Sequence, residues 1–457
     1  MNIKTESTSK VFSSLGGLLP LKELLYKTNL RDIIRDALPE LKSGTSRSID
    51  KFCQMILSFQ AGAECLDDID CIRRDEAFKI LCSWKPYTSK SIGNFLRSFS
   101  SHQVSQLNNR LIENAFELRE NLPKNKTITI DIDSTINRQY GKKMEGLGRA
   151  YDGTWGLDTI QAFDENGLQY WNEVRDGGTF SSQGAENIIH EIFKRVPKKE
   201  FFKKIRKYFR ADSAFCNSGV FKACMAKSAG FVISMRANMF EPLIKRVKYW
   251  KAQNPNNKKR ILFYDNRECE VGQTVHSYEG CPEPLRVVLI RAKKNEKNDC
   301  KKPKNDHQDN YDYYGWISNI GEHELKSIKL IKFYRKRGQA ENYIKELKYG
   351  YDMKHYPCIK LSANKAYGTI AAFSYNLVRF LSKLKNTKKT KCVKAFRHLW
   401  IQLPCQIVHH ARQVIFRFMK NHHKEVQYWL NRINLLQFSR VKIWSPELRG
   451  RSLKTKY

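Results

Sequence analysis

Up to about Leu122, apolar residues recur at spacings of three and four over Leu18 to Tyr26, Asn29 to Ala37, Asp50 to Gly62 and Val104 to Leu118. That period belongs to helices with one buried face, so residues 1–122 are expected to form an all-helical N-terminal unit. Inside it, Thr88-Ser89-Lys90-Ser91 precedes Ile92, Phe95 and Leu96, a polar helix start ahead of an apolar face, and a second helix opens near Ser101.

At Asn125 the pattern changes. Thr127 to Thr135 alternates isoleucine with polar residues, the period of a strand, and further strands are expected at Thr159 to Phe163 and Leu168 to Val174. The link Asp164-Glu165-Asn166-Gly167 predicts a tight hairpin in which Asn-Gly supplies positive φ angles. A helix over Gly184 to Arg195, a strand over Tyr208 to Asp212, a helix near Val220 to Ser228 and a strand over Phe231 to Met235 follow. Antiparallel strands that give way to strands alternating with helices predict an α/β layer on a mixed sheet, its first part at 123–250. From Lys251, strand-like runs at Arg260 to Tyr264, Glu268 to Val275, Leu285 to Ile290 and Tyr314 to Ile317 predict a β-rich insertion, 251–325. Within it, Lys293 to Tyr311 reads as a mobile polar loop. Helical periodicity returns over Arg335 to Lys348 and Ala363 to Leu384, so 326–386 is read as the second part of the core. The basic stretch Lys385 to Lys391 then leads to a helical C-terminal unit, 387–457.

A chain of 457 residues with 41% hydrophobic and 12% aromatic residues has the apolar mass for two or three cores. Its charge changes the picture more: 82 Lys+Arg against 46 Asp+Glu give +36, with the cations spread along the chain. That distribution favours a polyanion contacted over a long surface, nucleic acid above all, although a ribosome-associated or simply soluble basic protein has the same balance. In that light the paired helices near Ser89 and Ser101 fit a DNA-reading helix-turn-helix and equally an ordinary helical hairpin. None of the twelve cysteines forms a Cys-x-x-Cys pair, and His409-His410 has no cysteine at zinc spacing, which argues against structural zinc. Cys53, Cys82 and Cys392 read as small buried hydrophobes of a reducing compartment. No apolar leader opens the chain and no apolar run reaches about 18 residues, so the expected location is the cytoplasm, with no membrane partner.

Two constellations could carry chemistry. On a helix beginning near Tyr334, at about 100° per residue, Tyr334, Arg337, Glu341 and Lys348 fall within a stripe of roughly 60°, beside the apolar set Phe333, Ala340, Ile344 and Leu347. A solvated helix face also shows i,i+4 pairs such as Arg337 with Glu341, so geometry alone leaves both readings open. On the first strand, period two puts Asp131 and Asp133 on one face, where like charges repel unless a cation lies beside them. Asp212, at the end of its strand, suits a helix N-cap as well as a site at the sheet's edge. Three carboxylates from separate elements of a basic chain suit hard cations, Mg2+ or Mn2+, and a pair of such ions can drive in-line phosphoryl transfer.

Tyr334, two residues, Arg337, three residues, Glu341, six residues and Lys348 resemble the Tyr-Arg-Glu-Lys signature of a group of bacterial insertion-sequence transposases, and the spacing matches throughout. Thr127 to Arg138 resembles that group's first acidic strand, with Asp133-Ser134-Thr135 in place of its Asp and two small polar residues, and Asp212 resembles its second Asp. The likeness runs from about Ile128 to Tyr349 and implies an RNase H-like core with a β-rich insertion, flanked by all-helical units. It also implies a metal triad of Asp133, Asp212 and Glu341, with Asp131 in reserve, and DNA phosphates held by Tyr334, Arg337 and Lys348. The implied activity is cleavage at the terminal inverted repeats of an element and transfer into target DNA. Two metal ions, a homodimer pairing two ends, and a nucleoid-associated bacterial setting go with it. A metal-dependent nuclease that does not join, or a non-catalytic DNA-binding relic, are the alternatives. Trp316 and Arg175 could make further DNA contacts, although a core tryptophan and a surface arginine flanking a turn are the more ordinary readings.

Overall fold

The computed structural model describes residues 3–41, 44–123, 126–150, 152–196, 205–252, 263–264, 267–294, 310–385 and 392–438. The chain divides into two compact units: Met1–Pro123 with Gly350–Asp352 and Tyr356–Tyr457, and Lys124–Tyr349 with Met353–His355. The N- and C-terminal segments, expected as separate flanks, thus belong to one unit. The expected second core segment, 326–386, is divided between the two.

The first unit is built on the helix Leu361–Leu384, buried on nearly every side. Apolar residues lie on all its sides, and Asn364, Thr369, Ser374, Asn376, Arg379 and Ser382 are buried among them, which suits the centre of a helical bundle. Around it stand Thr45–Ala61, Ser89–Arg97 and Ser101–Glu120, the last opening on a capping box between Ser100 and Gln103. Part of the polar content of this core is paired: Gln60 Nε2 donates to Ser374 Oγ (2.6 Å) and Tyr351 Oη (2.7 Å). The unit is not all helical. Val11–Ser13, Cys405–His410 and Gln413–Phe418 form a three-stranded antiparallel sheet. Two short helices, Asp68–Ile72 and Glu76–Cys82, were not foreseen. Cys53 and Cys82 are buried as expected, whereas Cys392 is exposed.

The second unit is a mixed ten-stranded sheet with helices. Its strands are β1 (Thr127–Arg138), β2 (Gly148–Arg149), β3 (Trp155–Asp164), β4 (Gln169–Asp176), β5 (Arg206–Ala211), β6 (Ala229–Ser234), β7 (Phe263–Tyr264), β8 (Arg267–His276), β9 (Leu285–Lys293) and β10 (Tyr311–Ser318). The order is β2-β3-β1-β5-β6-β10-β9-β8-β7, with β4 also on β3. β1 pairs antiparallel with β3, whereas β1, β5 and β6 run parallel, as the change from meander to strand-helix alternation predicts. The insertion strands extend this same sheet, because β10 pairs with β6 through Trp316 opposite Ser234. Residues 260–262 of one expected strand, 295–309 of the expected loop and 386–391 of the basic link lie outside the described residues.

In the β3-β4 hairpin only Gly167 takes a positive φ (83°), and Asn166 does not. Asp164 takes over part of the turn: its Oδ1 accepts from the backbone N–H groups of Asn166 (2.8 Å) and Leu168 (2.9 Å). At the far end of the sheet, β1, β2, β3 and the end of β4 meet through glycines. A Cβ on Gly177 would lie 2.0 Å from the Gly156 carbonyl oxygen and 2.6 Å from that of Gly148. Gly177→Ala is therefore expected to cost about 2 kcal/mol, read as a lower urea midpoint with an unchanged slope, since backbone atoms on both sides must move apart.

Candidate active site

The stretch read as one helix from Tyr334 is two, Ser327–Arg335 and Gly338–Gly350. The joint falls at Lys336-Arg337, where Arg337 N–H donates to Tyr334 O at 2.8 Å and Ala340 N–H to Arg337 O at 2.8 Å. Arg337 is thus a joint residue, and its side chain is buried. The second helix is anchored by Ala340, Tyr343, Ile344 and Leu347, all buried, which turns Glu341 outward.

Three elements bring their acids to this joint. Asp133 is in the middle of β1, Asp212 immediately follows parallel β5, and Glu341 lies in the first turn of the second helix. The Arg337 guanidinium sits among them, with Nη2 at 3.3 Å from Asp133 Oδ2 and 3.4 Å from Asp212 Oδ2, and Nη1 at 3.6 Å from Glu341 Oε1. Asp212 takes the cap role and also turns an oxygen toward Arg337. Its Oδ1 caps the following turn by accepting from Ala214 N–H (2.9 Å), while Oδ2 faces Arg337.

Three carboxylates against one guanidinium leave two negative charges uncompensated at contact range. Burial pushes the Asp133 carboxyl up to about 6, Asp212 and Glu341 push the same way, and Arg337 and the Ser134 N–H oppose them. Among the described residues no three His, Cys, Asp or Glu side chains close around a point as an ion would require. The guanidinium holds the carboxylates apart, and its own Nε has no hydrogen-bond partner in the structure. The donor set is three hard carboxylate oxygen donors, negative once Arg337 gives way, so its chemistry fits divalent cations.

Asp131 shares the face of Asp133 but not its company. Its two oxygens accept from Arg210 Nε and Nη2, both at 2.7 Å, in a buried bidentate pair, and Arg210 Nη1 also donates to Phe333 O. The cation that its position demanded is therefore a protein side chain. Arg210 was missed, because it meets Asp131 only through the parallel register of β1 on β5.

Lys348 is partly buried and lies along β1 instead of on the surface. Its Nζ donates to Thr135 Oγ1 (2.5 Å) and Ile136 O (3.2 Å). Burial lowers its pKa, while Asp133 and Asp158 hold it up. Tyr334 packs against Trp316, ring centroids 5.7 Å apart, and burial raises its pKa. Trp316 is buried in the core that joins insertion strands to the helix Ser327–Arg335, as the bland reading had it. Arg175 is neither a surface residue nor exposed to phosphate: it is buried, pairs with Asp158 (Nε to Oδ2, 2.7 Å) and donates to main-chain carbonyls of the loop after β4. No described helix is long and apolar enough to cross a membrane.

With this geometry in place, a comparison with family models matches residues 1–438 to the transposase DDE domain, group 1. No curated protein matches the chain.

Proposed function

Because the chain belongs to the group 1 DDE transposase family, we propose that it is an insertion-sequence transposase of the Tyr-Arg-Glu-Lys type, cutting element ends and joining them to target DNA. The observation that carries this reading is the meeting of Asp133, Asp212 and Glu341, from three elements 79 and 129 positions apart in sequence, on one guanidinium. An antiparallel meander followed by two parallel strands, with Asp133 on β1 and Asp212 just after the adjacent β5, supports an RNase H-like core.

The family is divalent-metal dependent, and Asp133, Asp212 and Glu341 are the residues that would hold the metal here. When bound, Mg2+ or Mn2+ supplies Lewis acidity at the scissile phosphate and lowers the pKa of the attacking water or 3′-hydroxyl. The protein's own part is positional. β1 and β5 fix two carboxylates on a rigid sheet, and the buried Asp131–Arg210 pair ties β1 to β5 and to the helix joint beneath them. Arg337 and Lys348 carry the charge and donor geometry to hold phosphates of the element end, and Tyr334 supports Arg337 from the preceding helix. The net charge of +36 gives the wider surface its attraction to the duplex. Two protein copies pairing two ends complete the scheme.

The test uses duplexes bearing the DNA that borders the coding region. With Mg2+, a nick leaving a 3′-hydroxyl at the repeat boundary is expected, and a pre-cut end should be inserted into a second duplex. Cleavage without insertion would make the protein a nuclease. Binding that is indifferent to Mg2+, with no product, would make it a non-catalytic relic and end the proposal.

A further inference from the structure

The glycine-packed corner at the end of β1 carries side chains that the catalytic reading does not use. Tyr140 is 77% exposed, Phe180 82%, Tyr349 58% and Trp155 49%, four of the five exposed aromatics among the described residues of this unit. Hydrogen bonds bring their segments together: Gln139 N–H donates to Trp155 O (3.2 Å), Gly177 N–H to Gly146 O (2.9 Å), and the Gln139 side-chain Nε2 to Lys354 O (2.8 Å). Cations stand beside the rings, with the Arg138 guanidinium 5.3 Å from the Tyr140 centroid and the Lys354 ammonium 5.5 Å from that of Tyr349. Lys142, Lys143 and Arg149 are exposed on the same corner, against the exposed acids Glu145, Asp152 and Asp176.

From these placements we infer that the corner is a docking surface for an unpaired DNA strand leading away from the carboxylate cluster. Exposed aromatic faces interleaved with cations suit bases and phosphates together, and a base offers its face only when it is unstacked. A protein partner fits less well, because lysine is depleted from the cores of protein interfaces. Along β1 the six residues from Asp133 to Arg138 span about 17 Å, with Lys348 on Thr135 between. The inference rests on the transposase reading and adds to it where the strand next to the cut site lies.

The test measures anisotropy of labelled oligonucleotides with the metal-free full chain, comparing a blunt terminal duplex with one extended by five unpaired nucleotides. The wild-type protein is expected to bind the extended duplex roughly tenfold more tightly. Tyr140→Ala and Phe180→Ala should each remove most of that advantage while leaving the circular dichroism unchanged, and Tyr140→Trp should keep it. No advantage for the extension, or equal losses on both duplexes, would overturn the inference. So would an effect of either substitution on sedimentation and not on DNA, which would mark a protein interface. Magnesium-dependent cleavage that ignores the extension would sink this inference alone, whereas absence of both binding and cleavage would sink the transposase reading with it.

Discussion

Asp133→Asn is expected to lower DNA cleavage by about a thousandfold and, in the same preparation, to make the metal-free protein more stable. The first effect follows from losing one of three charged ligands, for which about 4 kcal/mol of transition-state stabilisation is a fair scale. The second follows from burial. The carboxyl is pushed up to about 6 from an ordinary 3.8, so above pH 6 the fold must hold an anion that it accommodates poorly. About two pKa units correspond to roughly 3 kcal/mol, or a rise in Tm of roughly 6 to 12 °C for a unit of this size.

The sign can be checked through pH. A carboxyl whose pKa is higher in the folded state binds more protons there, so wild-type stability is greatest below the unfolded value and falls as pH rises from about 4 through 6. The gain from Asn should therefore vanish near pH 4 and be complete at pH 8. Mg2+ should stabilise the wild-type protein at pH 8 and leave Asp133→Asn nearly unmoved. Asp131→Asn gives the contrast: although burial pushes this carboxyl up as well, the substitution strips a buried arginine of its bidentate partner and should destabilise at pH 8. Undiminished cleavage by Asp133→Asn would remove that residue from the site, and a Tm below wild type at pH 8 would refute the burial argument.

Much of this site was open to inspection in the amino-acid order because it rests on local rules. Alternation along Thr127 to Thr135 put Asp131 and Asp133 on one face, the end of a strand placed Asp212, and one helical turn joined Arg337 to Glu341. What remained hidden depends on tertiary partners. Nothing near Asp131 says that Arg210 neutralises it, since the two are joined only by the parallel register of β1 on β5. Arg175 looked like a surface residue because its partner, Asp158, lies on the neighbouring strand. The helix break at Lys336-Arg337 was missed because apolar periodicity continues across it, from Leu330 and Ile331 to Ala340 and Leu347. The C-terminal strands, which complete a sheet with Val11–Ser13, are short and separated from that partner by almost the whole chain.

Arg337→Met is expected to destabilise the metal-free protein by about 3 kcal/mol and to tighten its binding of Mn2+ at least tenfold. Both follow from where the guanidinium lies, in contact with all three carboxylates. Without it Asp133 is left buried beside two like charges, and breaking a buried pair from one side is costly because the remaining charge is uncompensated. The same loss removes a positive charge from the space that a cation needs, and one such charge a few ångströms away is worth more than a factor of ten in affinity. Mn2+ binding by electron paramagnetic resonance and Tm with and without Mn2+ read these effects without any turnover. If Arg337 leaves the carboxylates for a phosphate when DNA binds, DNA and metal must each tighten the other's binding in the wild-type protein by the same factor. In Arg337→Met that coupling should be lost while metal binding persists. Unchanged Mn2+ affinity in the variant would show that guanidinium and metal do not compete for one place, and persistent coupling would show that another group transmits the exchange.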